Sequence, residues 1–216
     1  MSLIINEGSS TSIPLLPEDT YPAVCNMLVD LGDQYSEKFD KTSRQILICW
    51  EIPSETLDNG EPRRLSRTYT ASLNSKGNLR RDLIAWRGRD FTIEELKAFD
   101  LKNIVGAPCM LQVIHRAGQD GTKRAVIGGI MKLPKGMPVP ALSNGFTIFD
   151  LDDPDAADQM KNLPEWIQTR IKESETWKER EAAATERKAI QSEEAQAPED
   201  SEFFKELNDP EAQIPF

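Results

Sequence analysis

Five short apolar segments, interrupted once by helical spacing, constrain this chain more than any other feature. Tyr21 to Leu31 is the first strand-like run, and Gly32 ends it. The second, Gln45 to Glu51, is apolar at nearly every position, the pattern of a strand covered on both faces. In the third, Leu65, Tyr69, Ala71 and Leu73 alternate with Ser66, Thr68, Thr70 and Ser72, the two-residue period of a half-buried strand. Arg67 falls on the apolar side of that run, which calls for a bulge or for a face open to a ligand. Helical signals follow. Asn78 can cap a helix over Leu79 to Trp86, and Thr92-Ile93-Glu94-Glu95 has capping-box spacing for a second one ending near Phe99. Two last strands, Cys109 to Arg116 and Arg124 to Leu133, are joined by a loop carrying Gly118 and Gly121. The pair Gly128-Gly129 inside the final run predicts a bulge or a close backbone approach.

Three strands, a helix and two more strands predict a mainly β fold with a few helices, an OB-fold-like five-stranded Greek-key barrel. An open α+β sheet would have the same element order. Charge then divides the chain. Residues 1–149 carry 18 Lys and Arg against 17 Asp and Glu, whereas residues 150–216 carry 8 against 19. Acid is therefore a property of the tail, the signature of a near-neutral folded body with an interaction appendage. The predicted division is an N-terminal arm over 1–20, the barrel over 21–135, a Pro-containing, acidic and partly helical extension over 136–191, and a disordered acidic tail over 192–216. Within the extension, Leu163 to Ile171 reads as a short amphipathic helix anchored by Trp166 and Ile171.

Several chemistries find no support. Cys25, Cys49 and Cys109 are far apart, each in an apolar run, and read as buried thiols in a reducing compartment. With one histidine, His115, and no paired cysteines, neither a zinc site nor a His-based nucleophilic constellation is expected. No Gly-rich phosphate loop precedes a Lys-Ser/Thr pair. Asp150, Asp152, Asp153 and Asp155 lack the glycine turn and closing glutamate of a calcium loop, and read as surface acid. The first residues lack a signal-peptide pattern and no run has the length of a membrane span, so a cytoplasmic, non-enzymatic protein without cofactor is expected.

Cations interleaved with aromatic rings suit unpaired nucleic acid, since cations track phosphates and rings stack on bases. From 63 to 89 the chain holds Arg63, Arg64, Arg67, Lys76, Arg80, Arg81, Arg87 and Arg89 against the single acid Asp82, with Tyr69 and Trp86 among them. Two loop clusters are expected to flank the same face: Tyr35, Lys38, Phe39 and Lys41, then Arg116, Lys123 and Arg124. Trp50 reads as core and His115 as a satisfied strand residue, while Trp86 suits core or platform equally.

The chain closes on Asp209-Pro210-Glu211-Ala212-Gln213-Ile214-Pro215-Phe216, two acids leading into an aliphatic, proline and aromatic tip. This ending resembles the acidic tip of bacterial single-stranded-DNA-binding proteins, with Ile-Pro-Phe intact and with Ala212 and Gln213 where that family carries acids. The body, through Trp86-Arg87-Gly88-Arg89 and Asp100-Leu101-Lys102-Asn103, is similar to proteins of bacteriophage replication and recombination clusters. The resemblance implies a single-stranded-DNA-binding protein of phage replication or recombination. Its tip residues Asp209, Glu211, Ile214, Pro215 and Phe216 would recruit replication or repair enzymes in the bacterial cytoplasm; a homo-oligomer stays open, and the bacterial tetramer is not carried over with the tip. Two rival expectations are an adaptor that occupies host pockets without binding DNA, and a strand-annealing accessory.

Overall fold

The computed structural model describes residues 14–37, 39–118 and 120–196. Its strands are β1 (Thr20–Ser36), β2 (Lys41–Thr56), β3 (Pro62–Thr70), β4 (Pro108–Ala117), β5 (Lys123–Lys132) and β6 (Thr147–Phe149). Between β3 and β4 lie α1 (Asn78–Arg87), α2 (Ile93–Lys97) and a single 3₁₀ turn over Leu101–Ile104. After β6 come α3 (Ala156–Met160), α4 (Glu165–Glu173) and α5 (Glu175–Gln196). The strands form one sheet in the order β3-β2-β1-β4-β5, antiparallel throughout, with short β6 added parallel to β1.

The sheet is open. β3 and β5, its two ends, approach each other, but among the described residues no ladder of backbone hydrogen bonds joins them. A closed barrel is therefore not what forms. Part of the N-terminal arm occupies the seam instead: Pro14, Leu15 and Leu16 line a cleft of about 200 Å³ with Arg63, Arg64, Leu65, Lys123, Arg124 and Ala125. Leu16 is buried in the main core, its carbonyl lies 2.8 Å from His115 Nε2, and Val113 N–H donates to the Asp19 carbonyl at 2.8 Å. The expected irregular arm is thus fastened from residue 14 onward, and residues 1–13 lie outside the described part.

β1 and β2 extend well beyond the runs expected from sequence. Gly32 does not end β1; the ladder continues through Gly32↔Gln45 to Ser36↔Lys41, past two register shifts at Cys25/Met27 and Asp30/Gly32. Gly32 sits at φ +71°, and a Cβ there would lie 2.7 Å from Ser174 Oγ. Glycine is present for close approach, not termination. The glycine pair in β5 behaves as expected: Gln112 faces Gly129 and Val113 faces Ile127, leaving Gly128 as the extra residue of a bulge.

Two apolar clusters lie on opposite faces of the sheet. On one, Ile46, Ile48, Trp50 and Ile52 of β2 pack with Leu79, Leu83 and Trp86 of α1. Trp50 and Trp86 stand 5.6 Å apart between centroids, a tilted pair contributing about 1 kcal/mol beyond its buried area. On the other face Val29, Leu31 and Leu47 are covered by Leu151, Met160, Ile167, Ile171 and Trp177. β2 is buried on both faces, as its unbroken apolar run requires. The extension is therefore a second packed layer and not a loose tether. The three cysteines are buried, and desolvation pushes the Cys25 and Cys49 thiols up to about 12. Among the described residues no helix is long and apolar enough to cross a membrane.

Candidate nucleic-acid interface

The cationic residues are held by elements whose local chemistry sets their direction. α1 begins after Gly77, not at an Asn78 cap, with no side chain capping its first turn. Gly88, at φ +70°, ends it by donating its N–H to the Ile84 carbonyl at 2.9 Å. α2 opens on the expected capping box: Glu95 N–H donates to Thr92 Oγ1 at 3.2 Å, and Thr92 N–H donates to Glu95 Oε2 at 2.9 Å. It stops at Lys97, two residues short of Phe99, whose ring meets Phe91 edge-on.

The basic window does not form one groove. β3 and the helix following it send its side chains to separate places. The first is a polar cavity of about 850 Å³ over β3 and the start of α1, lined by Lys41, Arg67, Tyr69, Lys76 and Arg170 together with Gln45, Thr68 and small polar residues. Among the described residues no carboxylate lines it. Behind its wall lies buried Asp82, which accepts from Arg67 Nη1 and from Tyr69 OH, each at 3.0 Å. This ion pair is why an arginine stands on the apolar side of β3; no bulge is present at Arg67. Tyr69 is buried, burial and then Asp82 raise the pKa of its phenol, and its ring offers no face for stacking. Arg81 also reaches Asp82, at 3.2 Å from the exposed side.

The second patch is the seam, where Arg63 donates to the Pro14 carbonyl and Arg64 lies 3.8 Å from buried Glu51. Lys123 and Arg124 line the opposite wall, and Arg116 faces Arg124 across β4 and β5. Asp120 pairs with Arg124 at 2.7 Å, which relieves that like-charge contact. The third patch is a largely apolar groove of about 640 Å³ at the end of α1, lined by Trp86, Arg87, Arg89, Phe99, Lys132 and Val139 among others. Trp86 is buried there and donates its indole N–H to the Pro108 carbonyl at 2.9 Å, so it is a core residue. Arg87 and Arg89 both bind Glu95, and the Arg89 guanidinium first, then the Thr92 N–H, hold the Glu95 carboxyl down at about 2. Arg80 pairs with Asp90 at 3.3 Å.

Among the described residues Lys41, Lys76, Arg116 and Lys123 carry no ion pair. Two exposed rings stand on the β1–β2 hairpin: Tyr35, 55% exposed with its hydroxyl donating to Asp40 Oδ1, and Phe39, 72% exposed. Lys41 belongs to both the hairpin and the cavity. Lys38 lies outside the described residues, as do Asp209, Glu211, Ile214, Pro215 and Phe216.

Sequence reasoning missed Arg170. Its Nη1 donates to Thr68 Oγ1 at 3.0 Å and its Nη2 to Gln45 Oε1 at 3.2 Å, across more than a hundred residues of chain. The available signal was the spacing of Leu163, Ile167 and Ile171, all buried, which fixes the face of α4 that carries Arg170. Trp166, expected to anchor that helix, is instead 50% exposed. The acidic cluster is also engaged. Arg44 binds both Asp30 and Asp152, and Lys102 binds Asp150 at 3.0 Å, so these carboxylates clasp the extension to the body. No family model matches the chain, and no curated protein matches it in sequence.

Proposed function

We propose that the protein binds single-stranded DNA, with the cavity over β3 as the centre of its surface. The carrying observation is that a polar cavity, lined by no carboxylate among the described residues, brings Lys41 and Lys76 together, with Lys41 on the same hairpin as the exposed Tyr35 and Phe39 rings. Charge to follow a backbone and rings to stack on unpaired bases are the two elements such binding needs. Arg63 and Arg64 stand at the other end of the same edge strand, so a bound strand running along β3 meets cations at both ends. The sheet order β3-β2-β1-β4-β5, with a helix between β3 and β4, further supports an OB-type module whose seam is closed by the arm and not by a ladder. Recruitment of replication or repair enzymes of a phage-infected cell by the Ile214-Pro215-Phe216 tip completes the proposal.

Binding of oligo-dT and of duplex of equal length, each measured across a salt series, tests this reading. Preference for the single strand with a clear salt slope supports it. Equal or absent binding overturns it.

The adaptor reading is favoured by one observation: Arg67, Arg80, Arg81, Arg87, Arg89 and Arg124 are all engaged with carboxylates. Under it, oligo-dT leaves the tyrosine fluorescence unchanged.

A further inference from the structure

We infer that Arg170 of the C-terminal extension is a direct phosphate ligand of this surface, so that the binding unit includes α4 and does not end with the sheet. The inference rests on the single-strand reading above and adds to it a residue and an element.

Arg170 differs from the other cations of the cavity in how firmly it is placed. Lys41 and Lys76 are exposed, and Arg67 is neutralised by Asp82. Arg170 is half-buried and flanked by Ile167 and Ile171, both fully buried against the outer face of β1 and β2. Its carbonyl accepts from Gln34 Nε2 at 2.8 Å, which ties the backbone of α4 to β1. Its guanidinium is steadied by two neutral acceptors, Thr68 Oγ1 and Gln45 Oε1, and among the described residues no carboxylate pairs with it. Neutral partners orient the fork while leaving its charge uncompensated. A planar guanidinium has five N–H donors, and two are used here. Arg170 lines a cavity where no carboxylate is placed among the described residues, an arrangement suited to recognition of a phosphate diester.

The test uses the full chain with Arg170→Gln and Arg170→Lys, measuring oligo-dT affinity from about 50 to 200 mM salt. For Arg170→Gln the expected result is roughly tenfold weaker binding at low salt, with the slope of log K against log salt reduced by about 0.7, one phosphate on a single strand. Arg170→Lys restores the slope, because it restores the charge. Wild-type affinity and slope in Arg170→Gln overturn the inference while leaving the single-strand reading standing. Equal weakening in both variants with an unchanged slope also overturns it, since that pattern marks a loss of shape. If the wild-type chain binds no oligo-dT, both proposals fall together. Footprinting of the wild-type chain with an arginine-specific dicarbonyl avoids any folding defect of the variants. Protection of Arg170 by oligo-dT supports the inference, and unaltered labelling in a chain that binds overturns it.

Discussion

Arg67 and Asp82 are joined at 3.0 Å between the second half of edge strand β3 and the middle of the helix that follows it. The carboxylate side chain is 10% exposed and also accepts from Tyr69 and Arg81, so three side chains depend on it. The pair fixes α1 against β3 and mutes one cation of the cavity.

Removing that acid should therefore separate stability from binding. Asp82→Asn keeps an acceptor for Tyr69 but leaves the Arg67 charge uncompensated in a partly buried site, a change expected to cost about 3 kcal/mol of unfolding free energy. The unmasked guanidinium should at the same time tighten oligo-dT binding at low salt. Chemical denaturation and a titration at low salt check the two halves, and weaker binding by the folded variant would count against the cavity as the site.

The rings divide cleanly by exposure. Tyr35→Ala or Phe39→Ala should weaken oligo-dT binding by about 1–3 kcal/mol each, the range for a base stacked on an aromatic side chain. Their thermal midpoints should barely move. Trp86→Phe should show the reverse: it strands the Pro108 carbonyl, lowers stability by about 1–2 kcal/mol and leaves affinity unaltered. A binding loss in Trp86→Phe without loss of stability would contradict the core placement.

Glu95 sets a pH dependence of definite sign. Its carboxyl lies at about 2 in the folded chain against an ordinary 4.5, through Arg89, the Thr92 N–H and Arg87. A lowered folded value means that its stabilisation is fully present above about pH 4.5 and is lost as pH falls towards 2. Thermal midpoints of the wild-type chain and Glu95→Gln should thus differ at neutral pH and converge near pH 2. A gap that stays constant across that window would refute the assignment.

Gly32 tests the docking of the extension. Alanine there must adopt φ +71° and bring its Cβ within 2.7 Å of Ser174 Oγ, and backbone strain alone costs about 1–3 kcal/mol. Gly32→Ala should loosen α4 and α5 before the sheet, read as earlier proteolytic cleavage after residue 150 with the 20–132 core retained. Given the role inferred for Arg170, oligo-dT affinity should fall in parallel.

Local pattern made some parts of this structure legible and left others hidden. The unbroken apolar run of β2, the capping box at Thr92 and the bulge at Gly128 are local in sequence, and each appears where the residues place it. The length of the β1–β2 hairpin was hidden because Gly32 reads as a terminator unless Ser174 is known to press against it. The split of the basic window was hidden too. Sequence proximity put Arg67 and Arg87 together, whereas a strand edge and the far end of a helix hold them on different surfaces. The apolar spacing of Leu163, Ile167 and Ile171 marks the buried face of α4, but nothing local pairs Arg170 with Thr68 and Gln45, which lie in strands more than a hundred residues earlier.

The seam filled by Pro14 to Leu16 has one more consequence. Two end strands of the sheet face a single narrow gap, and Pro14 to Leu16 keep both from finding other company. Shortening the chain to begin after Leu16 would bare β3 and β5 at once, so such a truncation should show its first defect as sheet-to-sheet self-association, before any failure to fold.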